Sequence, residues 1–170
     1  MTTRTTARTF ALALALSLGL VLPACNGDSE SQVSREDPAA EEIPEESRGV
    51  GKSFTIKSGI PDVPAIQVIV LEQGDGMAAR QGDTVALHYT GMLTDGKTFD
   101  TSRDGDLPFE FRIGHGGAIE GWQLIAAQMQ VGDRWKATIP SALAYGPRGY
   151  PPVIPPNADL VFDMELVRVR

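Results

Sequence analysis

The 170 residues include one cysteine, Cys25, and only two histidines, His88 and His115. A lone cysteine cannot form a disulfide within its own chain. Basic charge is also short: 22 acidic residues face 15 lysines and arginines, for a net charge of −7. No basic patch is present to neutralise phosphates, which weighs against a nucleic-acid partner. Metal ligands are missing too. Asp104-Gly105-Asp106 lacks the spacing and the closing glutamate of a calcium loop. The glycines around His115, in Gly114-His115-Gly116-Gly117, are not followed by the Lys-Ser/Thr of a phosphate-cradling loop. Neither a metal nor another cofactor is expected. There are no internal repeats, and the one long apolar run, Phe10 to Leu22, is interrupted by Ser17 and Gly19. It falls well short of the ~20 residues that a spanning helix needs.

That run follows Arg4 and Arg8, so it reads as the core of a signal peptide. It ends in Leu22-Pro23-Ala24-Cys25, which resembles a bacterial lipoprotein signal, with cleavage before the cysteine and lipidation of its thiol. One acyl chain holds only marginally, and stable anchoring takes more than one. The expectation is a mature chain starting at Cys25 and tethered outside the cytoplasm, with the outer membrane or the periplasmic side as its address. Between 26 and 50, eight acidic residues face only Arg35 and Arg48, and large apolar residues are almost absent. Such a stretch cannot offset the entropy of ordering itself. The expected organisation is therefore a signal at 1–24, a lipidated cysteine with an acidic disordered tether at 25–50, and one domain at 51–170.

Within that domain Ile66 to Leu71 is an apolar strand candidate, with Gly74-Asp75-Gly76 marking the turn after it. Val85, Leu87 and Tyr89 alternate with Ala86, His88 and Thr90, the period of a half-buried strand. Asp95-Gly96 then suits a tight hairpin turn. Further strands are expected over Pro108 to Ile113, around Trp135, Ala137 and Ile139, and along Leu160, Phe162, Met164 and Leu166. Only one segment has helical spacing: Ile119, Trp122, Ile125, Ala126 and Met129, with Gly132 beyond. Antiparallel strands and a single helix close a core when the sheet curls round that helix, so an α+β half-barrel is expected.

Five segments carry a family resemblance: Leu87-His88-Tyr89-Thr90-Gly91-Met92-Leu93, Gly96-Lys97-Thr98-Phe99-Asp100, Ile119-Glu120-Gly121-Trp122, Ala144-Tyr145-Gly146 and Ile154-Pro155-Pro156. In this order and spacing the chain, from about Ala65 to Arg170, resembles the FKBP-type peptidyl-prolyl cis/trans isomerases. The resemblance implies the curled half-barrel and an aromatic pocket. Its catalytic set would be Tyr89, Phe99, Asp100, Ile119 and Tyr145, and the rest of the lining Phe109, Ala118, Trp122, Tyr150, Val153, Ile154 and Phe162, with Trp122 as the floor. It further implies that the Ile119 N–H and the Tyr145 hydroxyl hold substrate carbonyls, while Asp100 and Tyr89 orient the twisted amide. No proton transfer is involved, so both histidines read as structural or solvated.

The family often pairs an arginine with the carboxylate equivalent to Asp100. Here that position is Gly105 and the nearest arginine is Arg103, so Asp100 is either less firmly placed or served by Arg103. Tyr150 stands in place of a frequent histidine and Ala118 in place of a larger aliphatic, which widens the pocket. The expected partners are proline-containing exported polypeptides and macrolides such as FK506 and rapamycin, with the domain monomeric. The alternative is a tethered module or chaperone that binds proline loops in the same pocket with little or no catalysis.

Overall fold

The computed structural model describes Ile43, residues 45–105 and residues 107–170. The expected signal, Cys25 and most of the acidic tether lie outside these residues. Among the described residues seven strands and one α-helix form, the strands being β1 (Ser53–Ile56), β2 (Ile66–Glu72), β3 (Thr84–Leu93), β4 (Thr98–Thr101), β5 (Phe109–Arg112), β6 (Arg134–Ile139) and β7 (Leu160–Val169). One α-helix, α1 (Glu120–Ala126), interrupts them, and single 3-10 turns occur at Glu45–Ser47, Ser141–Leu143 and Gly146–Arg148. The strands make one sheet in the order β1-β2-β6-β7-β3-β4, with β5 beside the other half of the β3 edge. Every pairing is antiparallel. Among the described residues no helix is long and apolar enough to cross a membrane.

Strand periodicity decides which face is wet. On β7, Leu160, Phe162, Met164 and Leu166 are buried, while Val161, Asp163 and Glu165 point the other way. On β6, Trp135, Ala137 and Ile139 do the same, and on β2 so do Ile66, Val68 and Val70. Helix α1 turns Trp122, Ile125 and Ala126 into the same core. It lies so close to β6 that a Cβ at Gly121 would come within 2.5 Å of Ile139 Cγ2. Residue 121 must therefore be small for the helix to sit on the sheet.

Two boundaries differ from expectation. The helix closes at Ala126 rather than reaching Met129, because the N–H groups of Gln128 and Met129 reach back only three residues, to Ile125 and Ala126; this is the tightening common at helix ends. The packed chain also begins before residue 51: Ile43 is buried in the core, Glu45–Ser47 form a turn, and the Gly51 N–H donates to the Val70 carbonyl. The last residues of the expected tether thus contain an apolar anchor that its acidic composition hides.

The fold places two features that matter for the site. The β3–β4 hairpin closes over Asp95-Gly96, where the Lys97 N–H donates to Asp95 Oδ1 at 2.9 Å and the Leu93 N–H to the Lys97 carbonyl at 2.9 Å. Strand β3 then changes neighbours along its free edge, pairing with β4 from Thr90 to Met92 and with β5 from Thr84 to Leu87. His88 and Tyr89 fall at that change, opposite the point where the chain leaves the sheet.

Candidate active site

Tyr89 on β3 projects towards α1, and its ring meets the Trp122 indole edge to face at 4.7 Å between centroids. Phe162 on β7 stands 5.2 Å from Trp122 at 86°. Phe109 on β5 completes the group at 5.6 Å from Trp122 and 6.3 Å from Tyr89. Phe99 on β4 packs on Phe162 at 5.8 Å and 88°. These edge-to-face contacts set each ring's positive rim against a neighbour's negative face, the preferred arrangement of aromatic pairs. Trp122 is nearly buried beneath them, whereas Phe109 keeps 38 % of its surface exposed. The result is a cage with a floor and an open side.

Its tight spot is Gly91. A Cβ there would fall 2.7 Å from Phe99 Cζ and 2.8 Å from Phe162 Cε1, so only glycine lets both rings close over β3. Gly91 pairs with Asp100 and with Phe162 across the sheet, which ties the ring spacing to strand register.

The polar edge is built on the same strands. The Tyr89 hydroxyl donates to Asp100 Oδ2 at 2.6 Å. Burial, followed by that bond and the charge of Asp100, pushes the Tyr89 phenol well above its ordinary value of 10.0. The Tyr145 phenol is also raised, by burial first and then by the charge of Asp100 and the neighbouring Tyr150. Both tyrosines therefore stay protonated and able to donate at physiological pH. Tyr145 and Tyr150 lie 5.6 Å apart at the rim, 37 % and 61 % exposed. Among the described residues the Tyr145 hydroxyl has no hydrogen-bond partner, and neither does the Ile119 N–H at the start of α1.

The remaining expected residues lie on two loops. Ala118 and Ile119 are half-buried where the chain enters α1. Tyr150 and Ile154 pair through two backbone bonds, Tyr150 N–H to the Ile154 carbonyl at 2.8 Å and the reverse at 2.9 Å, with Val153 on the turn between them. Ile154 is buried in the core, while Tyr150 and Val153 face solvent.

Of the two alternatives for Asp100, service by Arg103 is not realised. Arg103 does not serve Asp100: its guanidinium lies 2.8 Å from Glu165 Oε2 and 3.6 Å from Asp163 Oδ1. Alternation on β7 puts both carboxylates on the outer face, and together they outcompete a single acid on β4. Asp163 is also held bidentately by Arg134, at 2.8 Å from both Nε and Nη2, so the outer face carries a continuous charge network. Among the described residues Asp100 makes no ion pair.

Sequence reasoning missed Phe111 and Gln123. The Phe111 ring lies 6.1 Å from both Phe109 and Trp122, and its position two residues after Phe109 on one strand was the available signal. Gln123 is buried; its Oε1 accepts the Gly114 N–H at 2.8 Å, and its Nε2 donates to the Gly116 carbonyl at 3.2 Å. It thereby ties the loop before Ile119 to the helix. A polar residue beside Trp122 on a short helix carried too little pattern to single it out.

Comparison with known proteins agrees with this geometry. The model of the family described as FKBP-type peptidyl-prolyl cis-trans isomerase matches residues 76–167. The chain is 45 % identical over 119 residues to FK506-binding protein 1 of Candida glabrata, covering 69 % of this chain and 99 % of that protein. It is 50 % identical over 105 residues to FK506-binding protein 1 of Debaryomyces hansenii, covering 61 % and 94 %. With the peptidyl-prolyl cis-trans isomerase Fkbp12 of Drosophila melanogaster it shares 49 % identity over 106 residues, 62 % of this chain and 98 % of the other.

Proposed function

The chain belongs to the FKBP-type peptidyl-prolyl cis-trans isomerases, and from that membership we propose that the cage over Trp122 is where X–Pro bonds of exported polypeptides are twisted. The barrier to overcome is amide resonance, about 18–20 kcal/mol for a peptide bond. Unaided X–Pro exchange takes tens to hundreds of seconds. A site that binds the twisted amide better than either planar form speeds this exchange. The twisted form has lost resonance and some polarity, which suits an apolar cage. A ~10⁴ acceleration needs only about 5.4 kcal/mol, within reach of a few contacts.

The observation that carries the reading is the pair of unspent donors beside the ring cage, the Ile119 N–H and the Tyr145 hydroxyl. In this reading they hold the carbonyls flanking the proline, the proline ring rests on Trp122, and Asp100 with Tyr89 orients the rotating carbonyl. Phe99, Phe109 and Phe162 wall the ring in, while Tyr150, Val153, Ile154 and Ala118 shape the rim. Because among the described residues Asp100 has Tyr89 alone as its side-chain hydrogen-bond partner, its carboxylate is less firmly placed than an ion pair would make it. That observation favours a second reading, a proline-loop binding module of low turnover in the same pocket. The relatives' names supply the ligand class, so FK506 and rapamycin are proposed to occupy this pocket in place of the proline. The first reading is tested by Phe99→Ala and Tyr145→Phe. Each is expected to lower kcat/KM by about tenfold or more; wild-type rates in both would remove the assignment.

We also propose that the domain works outside the cytoplasm on a lipid tether at Cys25. Support comes from the Arg4, Arg8 and Phe10–Leu22 pattern, with Ala24 directly before the only cysteine. A Cys25→Ala chain is expected to leave the membrane fraction. Its full retention there would contradict the tether.

A further inference from the structure

Tyr89 has an unusual backbone environment. Its N–H and C=O both point to the β4 side, at the place where β3 passes from one edge partner to the other and the chain between β4 and β5 swings away. A ladder there would supply a backbone acceptor for that N–H. Instead Ser102 Oγ accepts it at 2.9 Å, and Thr101 Oγ1 donates to the Tyr89 carbonyl at 2.9 Å, alongside the Ser102 N–H at 3.0 Å. Two hydroxyls thus complete what the sheet leaves open, and both belong to residues directly following Asp100.

We propose that Thr101 and Ser102 are positioning residues for the reaction: their side chains fix the Tyr89 backbone relative to Asp100, and so set the 2.6 Å contact between the Tyr89 hydroxyl and the Asp100 carboxylate.

Both hydroxyls have further partners. Thr101 Oγ1 spends its one hydrogen on the Tyr89 carbonyl, leaving its lone pairs for the Arg103 N–H at 3.1 Å and Thr90 Oγ1 at 3.1 Å. Ser102 Oγ, having accepted the Tyr89 N–H, keeps a hydrogen for His88 Nδ1, which lies 3.2 Å away. Arg103 then anchors the segment from the far side through Glu165 and Asp163. Among the described residues Asp100 has no ionic partner of its own, so its placement depends on this clamp. The clamp bonds to neither Trp122 nor the rim, and it reaches the ring cage through the Tyr89 backbone alone. Its bonds fix the residue that carries the orienting hydroxyl, which makes it a device chiefly for the twisted state.

This inference rests on the proposed roles of Tyr89 and Asp100, so Tyr89→Phe is measured beside it. The test is steady-state prolyl isomerisation by the full chain carrying Ser102→Ala, Thr101→Val or Ser102→Thr, with folding checked by thermal melting. Ser102→Ala and Thr101→Val are each expected to lower kcat by about tenfold with KM unchanged, the signature of an interaction made only in the transition state. Ser102→Thr, which keeps the hydroxyl, is expected to restore most of kcat. Wild-type kcat in both deletions, a change confined to KM, or no recovery with Ser102→Thr would overturn the proposal. If Ser102→Ala fails to fold, Thr101→Val decides alone. If Tyr89→Phe loses activity while the clamp variants do not, the clamp is wrong and the site stands. If Tyr89→Phe is fully active, the site assignment itself has failed.

Discussion

Trp122→Ala is expected to destabilise the protein by about 3–5 kcal/mol and to bring prolyl isomerisation close to the uncatalysed rate. The indole touches four rings, Tyr89, Phe109, Phe111 and Phe162, at 4.7, 5.6, 6.1 and 5.2 Å between centroids. Its removal opens a cavity that rigid rings on three strands cannot collapse into, so the lost dispersion contacts add to the lost transfer energy. Trp122→Phe separates floor from wall. The indole Nε1–H is buried with no hydrogen-bond partner among the described residues, so its loss carries no hydrogen-bond penalty and most of the stability should return. Chemical denaturation of the two variants checks this. A loss below about 1 kcal/mol for Trp122→Ala would mean that the rings do not depend on the floor.

The second large effect is expected far from the rings, at Asp133. This buried carboxylate accepts the Gly74 N–H at 2.8 Å and the Gln130 N–H at 2.8 Å, while its own carbonyl accepts the Leu166 N–H at 2.9 Å. It clips the loop after β2 to the turn that leads from α1 into β6, and so holds the helix end in place. The approach is tight: a Cβ at Gly74 would lie 2.3 Å from the Val131 carbonyl oxygen. Asp133→Ala leaves two donors without acceptors and should cost about 2–4 kcal/mol.

The pH dependence has a definite sign. Burial raises the Asp133 carboxyl above its ordinary 3.8, against the opposing pull of the two N–H groups and Arg48. A group raised on folding contributes most below its unfolded value, and that contribution is lost as pH rises through its folded value. The deficit of Asp133→Ala should therefore widen as pH falls towards 3.8. Denaturant midpoints at neutral and acid pH test this, and a deficit that closes on acidification would refute it.

The sequence reveals the parts of this fold that repeat. Alternation exposes β3, β6 and β7 because each buries one face, and Tyr89, Phe99 and Trp122 of the ring cage are visible because they sit in recognisable segments. β1 escaped notice: four residues, Ser-Phe-Thr-Ile, bury only Ile56 fully and pair on one side alone. Ile43 was hidden by acidic neighbours, since composition averages over a window and a single anchor does not move the average. The fate of Arg103 was not legible at all. Its choice between Asp100 and the β7 carboxylates depends on which face of the sheet the loop crosses, and only the strand order β7-β3-β4 settles that. Thr101 and Ser102 look like loop residues in the sequence, because their task arises where β3 changes partner.

The most direct test of the account is the cis/trans exchange rate of a short X–Pro peptide with the full chain, measured with and without excess FK506. Acceleration abolished by the compound is the predicted result, since catalysis and macrolide binding are assigned to one cage over Trp122. Acceleration that persists at saturating FK506 would contradict the pocket assignment, and a folded chain that leaves exchange at the uncatalysed rate would contradict the assignment of catalysis to it.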